Sequence, residues 1–298
     1  MSGSAASRVA VLFGTRPEAI KLAPVILALR SAGLEVTVVA TGQHRELASE
    51  VLPQFALDID VDLALMRPGQ SLDYVLGEGI QAVGRYLVEA KPDAVIVQGD
   101  TSSTLAAALA AFHHRVPLAH VEAGLRTHDL GFPFPEEMNR RVTSVVARWH
   151  FAPTQRAAEH LAAEGIVDRV YVTGNTVVDA ARHVLAAAAL PAELADLGNG
   201  ARYIVATAHR RESWDGGIER IARALRTTLA AVDDIQLVFV THPNPLAAGP
   251  VTAILQGEAR ARVVTAIPYP SFLALLRGAV VAVSDSGGVQ EEGATLGV

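Results

Sequence analysis

Three short segments hold carboxylates where a reaction can use them. Residues 97–104, Val-Gln-Gly-Asp-Thr-Ser-Ser-Thr, place Asp100 just beyond a short β-branched run. Residues 120–127, His-Val-Glu-Ala-Gly-Leu-Arg-Thr, place Glu122 at the end of the next such run, among apolar and small neighbours that leave it little water. A carboxylate in that setting needs a partner or a task. Residues 134–141, Phe-Pro-Glu-Glu-Met-Asn-Arg-Arg, open a helix with Glu136 and Glu137 in its first turn. The helix dipole favours negative charge there, so capping alone accounts for one of the two. Asp100 with Thr101 to Thr104 also reads as an N-cap cluster. Several carboxylates at strand ends suit acid–base work on more than one face of a substrate.

Anion-binding signals stand beside them. In residues 14–21, Gly-Thr-Arg-Pro-Glu-Ala-Ile-Lys, Gly14 permits a sharp turn and Pro17 suits a first helical position. Arg16 and Lys21 then lie by a helix N-terminus, where backbone N–H groups favour an anion such as a diphosphate. The spacing is not GxGxxG, so the usual dinucleotide fingerprint is absent. Residues 207–213 present His209 and Arg210 to a phosphate. In residues 284–292, Ser286, Gly287 and Gly288 between a strand and a helix form a second anion cradle. Glu292 follows one to two turns later, placed to accept hydrogen bonds from ribose hydroxyls. His120, His128, His209 and His242 fall on separate strand ends without the spacing of helical ligands, so no metal site is expected.

These residues need a scaffold, and the apolar pattern supplies one. β-Branched runs at residues 8–13, 35–40, 94–98 and 117–121 alternate with helix-length segments at 17–32, 45–55, 71–90 and 102–114. The pattern restarts with runs at 203–207, 237–241, 262–265 and 280–284. Such alternation predicts an α/β fold with parallel sheets and helical crossovers. Residues 190–200, with Pro191, Gly198 and Gly200, read as a linker. The expectation is two αβα units, 1–180 and 181–298, facing a cleft, with ligands beyond the carboxyl ends of the strands.

Composition narrows the function. The chain has 298 residues, half of them apolar, and a net charge of −6 without a basic tract, which disfavours nucleic acid as partner. It has no cysteine, which removes disulfides, thiolate catalysis and zinc–thiolate sites. No purely apolar run of about 18 residues predicts a membrane span. Residues 1–7 lack a signal-peptide pattern, so cytoplasmic residence is expected.

In this order, residues 14–21, 41–46, 99–104, 120–127, 135–140, 173–179, 209–213 and 285–292 resemble the non-hydrolysing UDP-N-acetylglucosamine 2-epimerase family over essentially the whole chain. The resemblance implies the GT-B arrangement of two Rossmann-like domains, a homodimer, and interconversion of UDP-GlcNAc and UDP-ManNAc without a cofactor. It implies that Asp100, Glu122, Glu136 and His209 are the catalytic group. Arg16 and Lys21 would contact the phosphates or ribose, Phe272 the uracil, Ser286, Gly287 and Gly288 the diphosphate, and Glu292 the ribose. Gln43 and His44 would lie near a second, regulatory UDP-GlcNAc site; at Gly69 some members carry an arginine that contacts that regulator. The family's chain continues past the position of Val298 with a strand and further helices, the last crossing back to the first domain. The second domain is therefore expected to be incomplete here.

The chemistry fits these residue types. The hydrogen on C2 of a UDP-hexosamine is not beside a carbonyl, so direct deprotonation is implausible. Breaking the C1–O bond and expelling UDP builds positive charge at C1 and acidifies C2. That route demands cations around the diphosphate, which Arg16, His209, Arg210 and the Ser286 turn can supply. It also demands acid–base groups around the ring, which Asp100, Glu122 and Glu136 can supply. The alternatives are a hydrolysing 2-epimerase, a UDP-sugar sensor without turnover, and a glycosyltransferase of the same fold.

Overall fold

The computed structural model describes residues 7–42, 51–65, 67, 69–208, 216–241, 244–265 and 267–298. They form two compact units, Met1–Ala180 and Ala181–Val298. The first is built on β1 (Arg8–Phe13), whose Val-Ala-Val-Leu-Phe run is buried throughout. A strand apolar on both faces belongs inside a parallel sheet covered by helices. β1 pairs in parallel with β2 (Glu35–Ala40) from Arg8↔Glu35 to Phe13↔Ala40, and on its other edge with β4 (Ala94–Gln98). With β3 (Val61–Asp62), β5 (Leu118–Val121), β6 (Trp149–Ala152) and β7 (Val170–Val172), the sheet order is β3-β2-β1-β4-β5-β6-β7. The chain winds one way from β1 and the other way from β4. The loops leaving those two strands therefore diverge, which opens a crevice at their carboxyl ends.

Among the described residues five helices follow the strands in this unit, α1 (Arg16–Ser31), α2 (Leu72–Ala90), α3 (Ser102–His113), α4 (Glu136–Val146) and α5 (Gln155–Ala163), and α6 (Val177–Leu185) runs across the boundary between the units. Three start on hydroxyl caps: Ser71 accepts from the Tyr74 N–H, Thr101 from that of Thr104, and Thr154 from that of Ala157. Val83 and Leu87 of α2 and the alanines of α3 cover the face carrying Ala10, Leu12, Val95, Val97 and Leu118.

The second unit repeats the plan on β8 (Tyr203–Thr207), β9 (Gln236–Thr241), β10 (Ala261–Thr265) and β11 (Val281–Ser284), all parallel in the order β10-β9-β8-β11. Its helices are α7 (Gly217–Ala231), α8 (Pro245–Leu255), α9 (Tyr269–Gly278) and α10 (Gly287–Leu296). The diverging pair here is β8 and β11, and α10 starts at the end of β11.

The expected strands reappear within one residue at each end. The linker expected at residues 190–200 does not: Ala192–Asn199 is a 3-10 helix belonging to the second unit. Leu194 and Leu197 are three apart, so one face of a three-residue turn carries both into the core beside Tyr203, Val205 and Val238. Pro191 and Gly200, at φ 85°, only bracket it. Of the helix expected at 45–55, Leu52–Phe55 is a 3-10 turn, and residues 43–50 lie outside the described residues. Among the described residues no helix is long and apolar enough to cross a membrane.

Gly124, just past β5, has φ 93°, and a Cβ there would stand 2.1 Å from the carbonyl oxygen of Ala157 in α5. Both the dihedral and the contact exclude a side chain. Gly124→Ala should lower stability by more than about 2 kcal/mol, with a tuned-down midpoint in urea unfolding. Gly33→Ala, with a similar φ but open space around it, should cost clearly less.

Candidate functional site

The diverging loops after β1 and β4 are joined by one buried carboxylate. Glu18, in the first turn of α1, is 2% exposed. Its Oε2 accepts the N–H groups of Gly14 (3.0 Å) and Thr15 (2.6 Å) and the Thr15 hydroxyl. Its Oε1 accepts the hydroxyls of Thr101 and Thr104, each at 2.7 Å, from the other loop. The two also meet at Gly14, where a Cβ would be 2.2 Å from Ser103 Oγ, and Thr41, the residue after β2, reaches the same serine through its hydroxyl. Thr15-Arg-Pro-Glu18 is a capping-box spacing, the one sequence signal that singles out Glu18.

On this frame the carboxylates expected from the sequence gather. Asp100, the residue after the β4 turn, takes an ion pair from Arg140 Nη2 at 2.6 Å. Its own carbonyl accepts from Asn139 Nδ2. Glu122, the first residue past β5, pairs with Lys21 of α1. Glu122 adopts φ 66°, a left-handed conformation uncommon for a residue with a side chain. Such strain is held where surrounding structure over-determines it, often at functional sites. The two glutamates that open α4 separate cleanly. Glu137 is fully buried and accepts the Thr127 and His128 N–H groups, so it fixes the loop after β5. Glu136 makes no such bond among the described residues, and its charge acts on Asp100.

Burial is the main cause that raises the Asp100 carboxyl to about 6. Arg140 opposes this, Glu136 and Glu18 add to it, and Lys21 opposes it more weakly. A carboxyl at about 6 exchanges protons readily near neutrality. Arg140, one helical turn beyond Glu136, joins this group through its ion pair with Asp100, and its i, i+4 relation to Glu136 is the sequence signal that points to it. Arg126 is different: its guanidinium grips Glu164 with two bonds of 2.9 and 2.8 Å and also reaches the Leu125 carbonyl and Ser144 Oγ. Those contacts anchor the loop after β5 to α5 and α4.

Arg16 lies at the first turn of α1 without a hydrogen-bond or ion-pair partner among the described residues, half-buried beside this frame. In the second unit Ser286 caps α10 and its N–H donates to Ser284 Oγ at 3.0 Å. Gly287 and Gly288 form the helix start, and Glu292 is buried within it. Phe272 of α9 packs partly buried against the core of Val240 and Leu275. His209, Arg210, Gln43 and His44 lie outside the described residues. Among the described residues no trio of His, Asp or Glu is placed to hold a metal ion.

Residues 27–298 match the family model described as UDP-N-acetylglucosamine 2-epimerase. The chain is 43% identical over 300 residues to the UDP-N-acetylglucosamine 2-epimerase of Yersinia pestis, covering 97% of this chain and 80% of that protein. It is similar to the crystal structure of the Neisseria meningitidis UDP-GlcNAc 2-epimerase bound to UDP-GlcNAc, with a TM-score of 0.90, 39% identity, and 97% and 81% of the two chains covered. A putative UDP-N-acetylglucosamine 2-epimerase from Listeria monocytogenes gives a TM-score of 0.94 at 41% identity, covering 99% of this chain and 78% of the other. With the family model matched over residues 27–298 and relatives at 43% and 41% identity over nearly the whole chain, the chain belongs to the UDP-N-acetylglucosamine 2-epimerase family.

Proposed function

We propose that this enzyme interconverts UDP-GlcNAc and UDP-ManNAc by eliminating and re-adding UDP. The observation that carries the reading is the pairing of Asp100 with Arg140 and of Glu122 with Lys21 at the ends of adjacent strands, with Glu136 beside Asp100. In the first half-reaction the C1–O bond breaks and UDP leaves with the electron pair. A carboxylate removes the C2 proton, and the C2–H electrons become the C1=C2 bond of 2-acetamidoglucal. In the second half a carboxylic acid returns a proton to the opposite face of C2, and a UDP oxygen re-adds to C1. The proton count closes with no external oxidant or reductant.

Asp100, Glu122, Glu136 and His209 are the proposed acid–base group. Burial, with the charges of Glu136 and Glu18 behind it, brings Asp100 to about 6 against Arg140, so that it can give up and take back a proton around neutrality, as the two half-reactions require. Arg16, Lys21, Arg210, Ser286, Gly287 and Gly288 are proposed to hold the diphosphate, using cations and the N–H groups at the start of α10. Phe272 is proposed against the uracil, and Glu292 on the ribose. Gln43 and His44 are proposed near a regulatory UDP-GlcNAc site, and the working form is proposed to be a cytoplasmic homodimer. These last assignments rest on the family resemblance.

Incubation with UDP-GlcNAc in deuterated water should give UDP-ManNAc with deuterium at C2 by NMR. Free ManNAc as the main product would identify a hydrolase instead, and unlabelled C2 would overturn the elimination. Asp100→Asn and Glu122→Gln should each lose more than about 10²-fold in kcat with UDP affinity little changed, as measured by calorimetry. Arg16→Ala should instead weaken UDP binding.

Asp100 also makes a pH prediction. Its folded pKa, about 6, exceeds the ordinary 3.8, so the native state binds the extra proton between those values. Stability contributed by Asp100 is therefore greatest below about pH 4 and is lost as pH rises through 6. Asp100→Asn should raise the melting temperature at pH 7.5 and lose that gain toward pH 4; equal effects at both pH values would contradict the shift.

A further inference from the structure

The buried imidazole of His120 takes no part in the proposed chemistry, yet it touches the turn that does. His120 lies in the middle of the first unit's sheet, 0% exposed, in register with Val97 of β4 on one side and His150 of β6 on the other. Its Nε2 is 2.7 Å from the carbonyl oxygen of Gly99. A carbonyl only accepts, so Nε2 carries the proton and donates it. Nδ1 is then a lone-pair acceptor, and it is buried without a hydrogen-bond partner among the described residues. A side chain that only filled space would not bring an unsatisfied acceptor into the core, where that group is costly. The imidazole is retained in spite of Nδ1, and what it supplies is the bond at Nε2.

That bond falls at a sensitive point. Gly99 has φ 74°, the left-handed bend that turns the chain from β4 toward Asp100. Its N–H donates to the carbonyl of Val121 at 3.0 Å. Both polar groups of the Gly99 residue are thus held by consecutive residues of β5, His120 and Val121. The next residue along that strand is Glu122. We propose that His120 is a positioning residue that locks the Asp100 turn to the Glu122 turn, so that the two carboxylates move as one rigid pair. The inference rests on the functional reading above, because it gives the pair a joint task.

Burial holds the imidazole neutral by lowering its pKa to about 4, with His150, Arg126 and Arg140 reinforcing this against the opposing Gly99 bond. Nε2 donates in this neutral tautomer as it would in the cation, so the bond to Gly99 persists across the working range. A glutamine at this position sets its Nε2 amide near the imidazole Nε2, whereas an asparagine is too short to reach Gly99. The two replacements have the same polarity and separate the bond from the polarity of the site.

The test compares H120Q, H120N and wild type by steady-state kinetics and by the 13C chemical shift of the Asp100 carboxyl through a pH titration, assigned with D100N. H120Q should keep kcat within about threefold. H120N should lose about 10²-fold in kcat with KM changed little, the cost of a small misplacement at a reacting centre. The Asp100 titration should stay near that of wild type in H120Q and move toward the ordinary carboxyl range in H120N, as the loosened turn admits water. Equal kcat and equal Asp100 titration in H120N and H120Q would overturn the proposal. So would a tenfold loss of kcat in a folded H120Q, which decides the question even if H120N does not fold. The Asp100 titration needs no substrate, so a wild-type protein without epimerase turnover would sink the functional reading while leaving this comparison decisive.

Discussion

A parallel sheet opens its crevice where two neighbouring strands send their loops in opposite directions, and something must stop those loops from separating. In the first unit that task falls to Glu18. Its two oxygens accept from five donors, three on the loop after β1 and two on the loop after β4. A buried carboxylate is tolerable only with such satisfaction. The same contact sets the distance between the turn bearing Arg16 and the turn bearing Asp100. The frame is therefore fixed by hydrogen bonds between main chain and buried side chains, with Asp100 and Glu122 on the turns that it holds.

The charges on these turns are balanced rather than neutralised. Lys21 answers Glu122, Arg140 answers Asp100, and Glu136 adds a charge beside Asp100 that no bond among the described residues absorbs. Burial still prevails over Arg140 and leaves Asp100 able to take up a proton near neutrality. The neighbouring His120 is shifted the other way. Its contribution to stability is complete above about pH 6.5 and declines as pH falls toward 4, whereas that of Asp100 declines as pH rises through 6. Asp100 and the frame that carries it thus draw opposite pH dependences from the same cause, removal from water.

Much of this was legible in the sequence because strand ends are visible there. The β-branched runs at 8–13, 94–98 and 203–207 locate β1, β4 and β8 to the residue; Glu122 follows β5 directly, and Asp100 stands two residues past β4. Helix-end electrostatics do not choose between Glu136 and Glu137, since both suit a first helical turn; the family resemblance points to Glu136, and the folded loop shows Glu137 taken by two N–H groups. Arg140 was hidden for a similar reason, since Arg140 and Arg141 are adjacent in sequence and point to different partners, Asp100 and Glu164. The short strands β6 and β7 have too few residues for a period to show. Residues 190–200 carry the linker signals proline and glycine at their ends, but the leucines three apart between them are what the core takes up.

The central claim is that Asp100, Glu122 and Glu136 surround one hexose carbon. A crystal structure of the protein with UDP and 2-acetamidoglucal tests it most directly. The account predicts C2 of the glucal within about 3.5 Å of at least one carboxylate oxygen on each face of the ring. A sugar bound with C2 remote from all three carboxylates would contradict it.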